Sequence, residues 1–173
     1  MISLVNFKDI LVKAKELNDS VRSKNPPPEE GATSSAQSVI YFSLVRGTRT
    51  YIEKLAHQIN GSYENGWYDA CAVMIRRLVE TLIIEAYEAH NIADSIKNHQ
   101  GDFFYLGDLI SAAIIEKSWT LGRNTKKSLK ELKDIGDKSA HSRRFLAHRQ
   151  DVDKVSADLR VVVQELVLLA KLK

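Results

Sequence analysis

Between Trp67 and His90 apolar residues fall at 70, 71, 74, 75, 78, 82 and 86, the 3.6-residue recurrence of a helix buried on more than one side. This stretch is the expected core helix. Upstream, Phe7, Ile10, Leu11, Ala14, Leu17 and Val21 form the single apolar stripe of a first helix, capped by Asn6. It ends before Asn25-Pro26-Pro27-Pro28, because a proline disfavours helical geometry in the residue before it and lacks an amide donor. The pattern therefore divides the chain into an N-terminal helix over 1–24, a stiff linker over 25–33 and a helical bundle domain over 34–173. A second helix is expected from Ser34 or Ser35, carrying Val39, Ile40, Leu44, Tyr51, Leu55 and Ile59 inward, with Gly47 as a bend or close-packing point. Asn60-Gly61 and Asn65-Gly66 are turn signals bracketing the connection to the core helix, a corner that Tyr63 and Trp67 are expected to cover.

Beyond His90 the pattern weakens through a polar stretch from Ile92 to Asp102 and an aromatic cluster at Phe103, Phe104 and Tyr105. Leu106, Leu109, Ile110, Ala113 and Ile114 then predict a short helix ending around Trp119. After the loop Leu121-Gly122-Arg123-Asn124, a helix capped by Asn124 or Thr125 turns Leu129, Leu132 and Ile135 inward. Asp151 is the expected cap of a last helix, whose Val152, Val155, Leu159, Val162, Leu166 and Leu169 recur at alternating steps of three and four. That heptad seam packs either within the bundle or against a second copy. Together with a linker that frees the first helix, it predicts a homodimer. No alternating strand pattern competes, and the fold class expected is an all-α bundle of five or six helices.

Composition agrees with one globular domain. The chain has 173 residues, 44% hydrophobic and 27% charged, with 8 Gly and 3 Pro, well away from disordered composition. No apolar run reaches the roughly 18 residues of a membrane span, and the first residues lack a signal-peptide core. No membrane association and a cytoplasmic location are expected. A lone Cys71 within the core helix reads as a small hydrophobe. The net charge of +3 conceals an asymmetry. From Arg123 to Arg149 nine basic residues face three acidic ones, a net +6 that leaves −3 for the rest. Such a field attracts phosphate, although scattered lysines commonly mean a solvated helix face.

The candidate chemistry begins with Arg76, Arg77 and Glu80, ionic groups carried by the segment least able to leave them unpaired. Their partners are expected in Ile135-Gly136-Asp137-Lys138-Ser139-Ala140-His141-Ser142-Arg143-Arg144. Set in order, Tyr68-Asp69-Ala70-Cys71-Ala72-Val73-Met74-Ile75-Arg76-Arg77-Leu78-Val79-Glu80, Leu106-Gly107-Asp108-Leu109-Ile110 and Ile135-Gly136-Asp137-Lys138-Ser139-Ala140-His141 resemble a bacterial uncharacterised-domain family. That family lies within the HEPN (higher eukaryotes and prokaryotes nucleotide-binding) superfamily, and the resemblance spans about residues 60–170.

The resemblance implies a helical bundle, often dimeric, that acts on or binds RNA or nucleotides, with many members in defence, toxin or restriction systems. Active members typically carry an arginine, a polar residue, three variable positions and a histidine, and cut RNA without metal. With His141 in the histidine place, Asp137 takes the polar place and Gly136 stands where arginine is expected. Arg143 and His148 meet the spacing as a second arrangement, in the Ser142-to-Gln150 connection.

For cleavage by the RNA's own 2′-hydroxyl, the expected roles are His141 as general acid or base, Arg143 or Arg144 on the phosphate, and Glu80 orienting the imidazole. The candidate catalytic set is thus His141, Arg143, Arg144, Glu80 and Asp137. The candidate binding set is Arg76, Arg77, Lys126, Lys130, Lys138 and His148. The opposing reading makes His141 a packed histidine at a helix end, with Arg76 and Arg77 neutralising Glu80 and Asp137. The five histidines show no compact ligand spacing, so no metal is expected, and no cofactor motif is present. Two functions stand: an RNA-interacting module, catalytic as a metal-independent ribonuclease or degenerate, and a non-catalytic dimeric module that binds a protein partner.

Overall fold

The computed structural model describes residues 38–173 together with Val12, Lys13 and Glu16. The Asn6 cap, most of the first helix and the proline linker lie outside the described residues. Five α-helices follow one another: α1 Thr50–Glu64, α2 Tyr68–Ala89, α3 Leu106–Ile115, α4 Arg123–His141 and α5 Arg149–Leu169. Short 3-10 turns at Phe42–Leu44 and Ala93–Ile96 precede α1 and follow α2. No strand occurs among the described residues, and the fold is an all-α bundle.

Helix α2 is the axis of the bundle and packs against each of the other four helices. Two apolar rows explain this: Cys71, Ile75, Leu78, Leu82 and Ala86 lie on one line, Ala72, Val79, Ile83 and Tyr87 on the next, and all are buried. Each fully buried Leu or Ile contributes about 1.5–3 kcal/mol. The Ala70 position expected on this face is exposed. The heptad seam of α5 is also consumed internally: Val152, Leu159 and Val162 are fully buried, and Leu166 nearly so. Among the described residues this seam packs within the bundle, with Leu169 at its end half-buried.

Several boundaries differ from the sequence expectation, each because a tertiary partner replaces a local one. The expected start at Ser34 or Ser35 lies outside the described residues, but the chain from Ser38 to Tyr41 is not helical, and the helix that carries Leu55 and Ile59 begins at Thr50. Asn60 supplies the reason, since its side-chain oxygen accepts from the Ile40 N–H at 3.0 Å and its amide donates to the Ile40 carbonyl at 2.9 Å. Asn60-Gly61 is therefore no turn but part of α1, with both residues buried. Gly47 does not bend a helix. It occupies the left-handed region at φ +81° in the corner before α1, which glycine adopts without steric cost. The Asn65-Gly66 turn is where expected, with Gly66 at φ +75°.

Helix α3 stops at Ile115, and Trp119 folds back so that its ring N–H donates to the Ala113 carbonyl at 3.2 Å and its ring edge meets Tyr87. Neither Asn124 nor Thr125 is the cap of α4, which starts at Arg123. Glu165 of α5 takes that role from another helix, accepting the Gly122 N–H at 2.6 Å and the Thr125 hydroxyl. Asp151 does not precede α5 but lies in its first turn, where its carboxylate accepts the His148 N–H at 2.9 Å and offsets part of the unpaired amide end. Tyr63 covers the α1–α2 corner as expected, while Trp67 is 62% exposed.

Candidate nucleic-acid interface

Helices α2 and α4 run antiparallel. Gly136 lies against Ala72 and Arg76, whereas Ala147, past the end of α4, donates its N–H to Asp69 at 3.0 Å. Moving forward along α4 thus moves backward along α2. Their contact holds an ion network: Arg76 Nε donates to Asp137 at 2.6 Å, Arg76 Nη1 to Glu80 at 3.2 Å, and Lys133 Nζ to Asp137 at 2.6 Å. Burial pushes the Asp137 carboxyl up, but the hydrogen bonds and charges of Lys133 and Arg76 outweigh it, and its pKa lies below the ordinary carboxylate value. Asp137 is thus held as a carboxylate between two cations at the margin of the core. Arg76, Glu80 and Asp137 are therefore brought together across 61 residues.

His141 is not part of that network. It is exposed at the last position of α4, five residues beyond the buried Gly136, which places it roughly 140° around the helix toward solvent. Along the axes His141 lies one turn past Asp137 toward Asp69, and Glu80 one turn past Arg76 in the opposite direction. That separates them by roughly 12 Å along the bundle. The Glu80 carboxylate meets Arg76 instead, so it does not orient the His141 ring. Arg77, one residue from Arg76, is exposed on a different side of α2.

Gly136 proves to be a packing residue. A Cβ placed there would lie 2.5 Å from the Arg76 Cβ and 3.0 Å from the Ala72 carbonyl oxygen, so no larger side chain, arginine least of all, fits at this crossing.

The basic residues sort differently. Arg123, Lys126, Lys127 and Lys130 fall within roughly 100° of arc on the outer side of α4, and all but the half-buried Lys126 are exposed. Asp134 and Asp137 interrupt this arc. Lys133 lies within ion-pair distance of both, at 3.8 and 2.6 Å, and Arg76 binds Asp137 as well. Lys127 pairs with Glu131 at 3.6 Å. Arg123, Lys126, Lys130, Lys138, Arg143 and Arg144 form no ion pair with a described residue. Arg143 and Arg144 are exposed in the connection after α4.

That connection also carries His148, the residue before α5, and here the structure adds a feature. His148 lines a cleft of about 450 Å³ with Tyr68, Arg149, Gln150 and Asp151. Arg149 Nε donates at 2.9 Å to the Tyr63 hydroxyl, which donates at 2.5 Å to Asp153. Burial above all, then the Asp153 hydrogen bond, raises the Tyr63 pKa. The Arg149–Asp153 spacing of four residues was visible in the sequence, but nothing there tied Tyr63 or Tyr68 to them. Among the described residues no three His, Cys, Asp or Glu side chains converge into a metal-ligand set, and no helix is long and apolar enough to cross a membrane. No family model, no curated protein and no solved structure matches this chain.

Proposed function

We propose that this chain is an RNA-interacting helical module that holds the phosphate backbone along the outer side of α4 and the Arg143–Arg144 connection. The observation that supports this reading is the sorting of charge. The carboxylates near the α2–α4 crossing are taken up by Arg76 and Lys133, which leaves Arg123, Lys126, Lys130, Lys138, Arg143 and Arg144 without acidic partners among the described residues. Cations so arranged gain more from phosphates, whose counterions are released on binding, than from water. Of the two arginine–histidine arrangements, Arg143 with His148 is favoured for any cleavage, because His148 borders a cleft with Arg149 and Tyr68 while His141 is separated from Glu80. The resemblance to the HEPN superfamily, with its often dimeric members in defence, toxin or restriction systems, is consistent with this reading.

The test is binding of a labelled RNA across a salt series. Affinity is expected to fall steeply with salt, and replacing Lys126, Lys130 and Arg144 by alanine should reduce the slope of log affinity against log salt by about 2–3. A salt-insensitive or absent interaction refutes the proposal and leaves the protein-binding alternative. Incubation with RNA and a chelator, beside His141→Ala and His148→Ala, separates a ribonuclease from a binding module: cleavage lost only in the His148 variant assigns the chemistry there.

A further inference from the structure

Two stretches far apart in the chain meet at one corner of the bundle, the start of α2 and the connection into α5. Ala147 donates its N–H to Asp69 at 3.0 Å, which holds the connection against the first turn of α2. The cleft of about 450 Å³ lies at this corner, walled by Tyr68, His148, Arg149, Gln150 and Asp151, and its volume falls in the ~300–1,000 Å³ range of small-ligand pockets. Tyr68 is half-buried and meets the Tyr63 ring edge to face at 5.8 Å. The Arg149 guanidinium lies 5.3 Å over that same Tyr63 ring. Both side chains are thus held at the cleft by one buried tyrosine.

The wall of the cleft sorts by chemistry. Tyr68, His148 and the Arg149 guanidinium are planar groups of the kind on which unstacked bases lie, and the Gln150 amide suits the edge of a base. Trp67, the residue before Tyr68, adds a further ring that is 62% exposed. Asp151 places a carboxylate at the same wall, which disfavours a phosphate there but not a neutral base. Cations for phosphates stand outside it instead: Arg143 and Arg144 are exposed in the same connection and form no ion pair with a described residue. Rings within and guanidinium groups beside them match a single-strand site, which combines aromatic platforms with a basic track. Duplex RNA is held through its phosphates and 2′-hydroxyls and keeps its bases stacked away from such rings.

We propose that this cleft is a base subsite for one unpaired nucleotide of a single-stranded RNA, with the base against Tyr68 and His148 and the flanking phosphates on Arg143 and Arg144. The inference rests on the RNA-interacting reading above and narrows its ligand to unpaired RNA.

The test is binding of a short labelled single-stranded RNA, and of the same strand annealed to its complement, to the full chain across a salt series. The unaltered protein is expected to prefer the single strand. Tyr68→Leu and, separately, His148→Leu at its exposed position should each weaken single-strand binding by roughly tenfold. Duplex binding should stay as it was. For Tyr68→Leu the slope of log affinity against log salt should also be kept, because that ring neutralises no phosphate. Tyr68→Phe retains the ring and should bind as the unaltered chain does, which separates stacking from the hydroxyl. Equal affinity for the two RNAs, or undiminished single-strand binding by His148→Leu and a folded Tyr68→Leu, overturns the base subsite while leaving salt-dependent phosphate binding in place. Equal loss of single-strand and duplex binding in these variants overturns it as well, since the rings would then act through packing. Absence of binding to either RNA overturns the RNA-interacting reading itself.

Discussion

Gly136 of α4 stands so close to Arg76 of α2 that a Cβ on the glycine would lie 2.5 Å from the arginine's own Cβ. Glycine in a helix interior costs about 1 kcal/mol relative to alanine, and here that cost is accepted because the closeness lets Arg76 reach Asp137 at 2.6 Å. Gly136→Ala is therefore expected to destabilise. Overpacking of a tight crossing costs about 1–3 kcal/mol, more than the propensity gained, and the thermal midpoint should fall by several degrees. An unchanged or higher midpoint in calorimetry would show that α4 can move aside freely.

The Arg76–Asp137–Lys133 network gives stability a particular acid dependence. The folded Asp137 has a lowered pKa, so the unfolded chain binds its proton more readily. The contribution is complete above the ordinary aspartate value near ~3.9 and is lost as pH falls through the folded value. Asp137→Asn should lower stability at neutral pH and flatten the decline in acid, measured as denaturant midpoints from pH 7 down to pH 3. Parallel curves for the two proteins would remove Asp137 from this role.

Asn60 is 3% exposed and holds both backbone groups of Ile40. Asn60→Ala leaves a buried N–H and carbonyl without their partner, a loss of about 1–3 kcal/mol. Hydrogen exchange at the Ile40 amide should rise by more than at α2, which localises the effect. Uniform change across the bundle would argue against a local staple.

His141 and His148 should behave alike in stability and differently in function. Both are exposed, so alanine at either is expected to change folding free energy by less than about 0.5 kcal/mol. Under the proposed function, only His148→Ala perturbs events at the cleft shared with Tyr68 and Arg149. A midpoint several degrees lower for His141→Ala would instead make that histidine a packing residue.

Much of this fold is determined locally. The period of apolar residues decides α2, the buried side of α4 and the seam of α5, because a 3.6-residue repeat can be buried only as a helix face. The same spacing shows that Arg76 and Glu80 share a side of α2, and the excess of lysine and arginine from 123 to 149 is a matter of composition alone. What the sequence could not decide is which backbone and ionic groups find partners far along the chain. Asn60 reads as a turn residue until Ile40 is seen beside it, Thr125 as a cap until Glu165 arrives from α5, and Gly136 as a missing arginine until Arg76 fills its space. The separation of His141 from Glu80 follows from the antiparallel crossing of α2 and α4, a relation between helix directions that no spacing within either helix encodes. Local periodicity fixes which face of a helix is buried, but the direction and register in which two such faces meet are set by packing across the whole core.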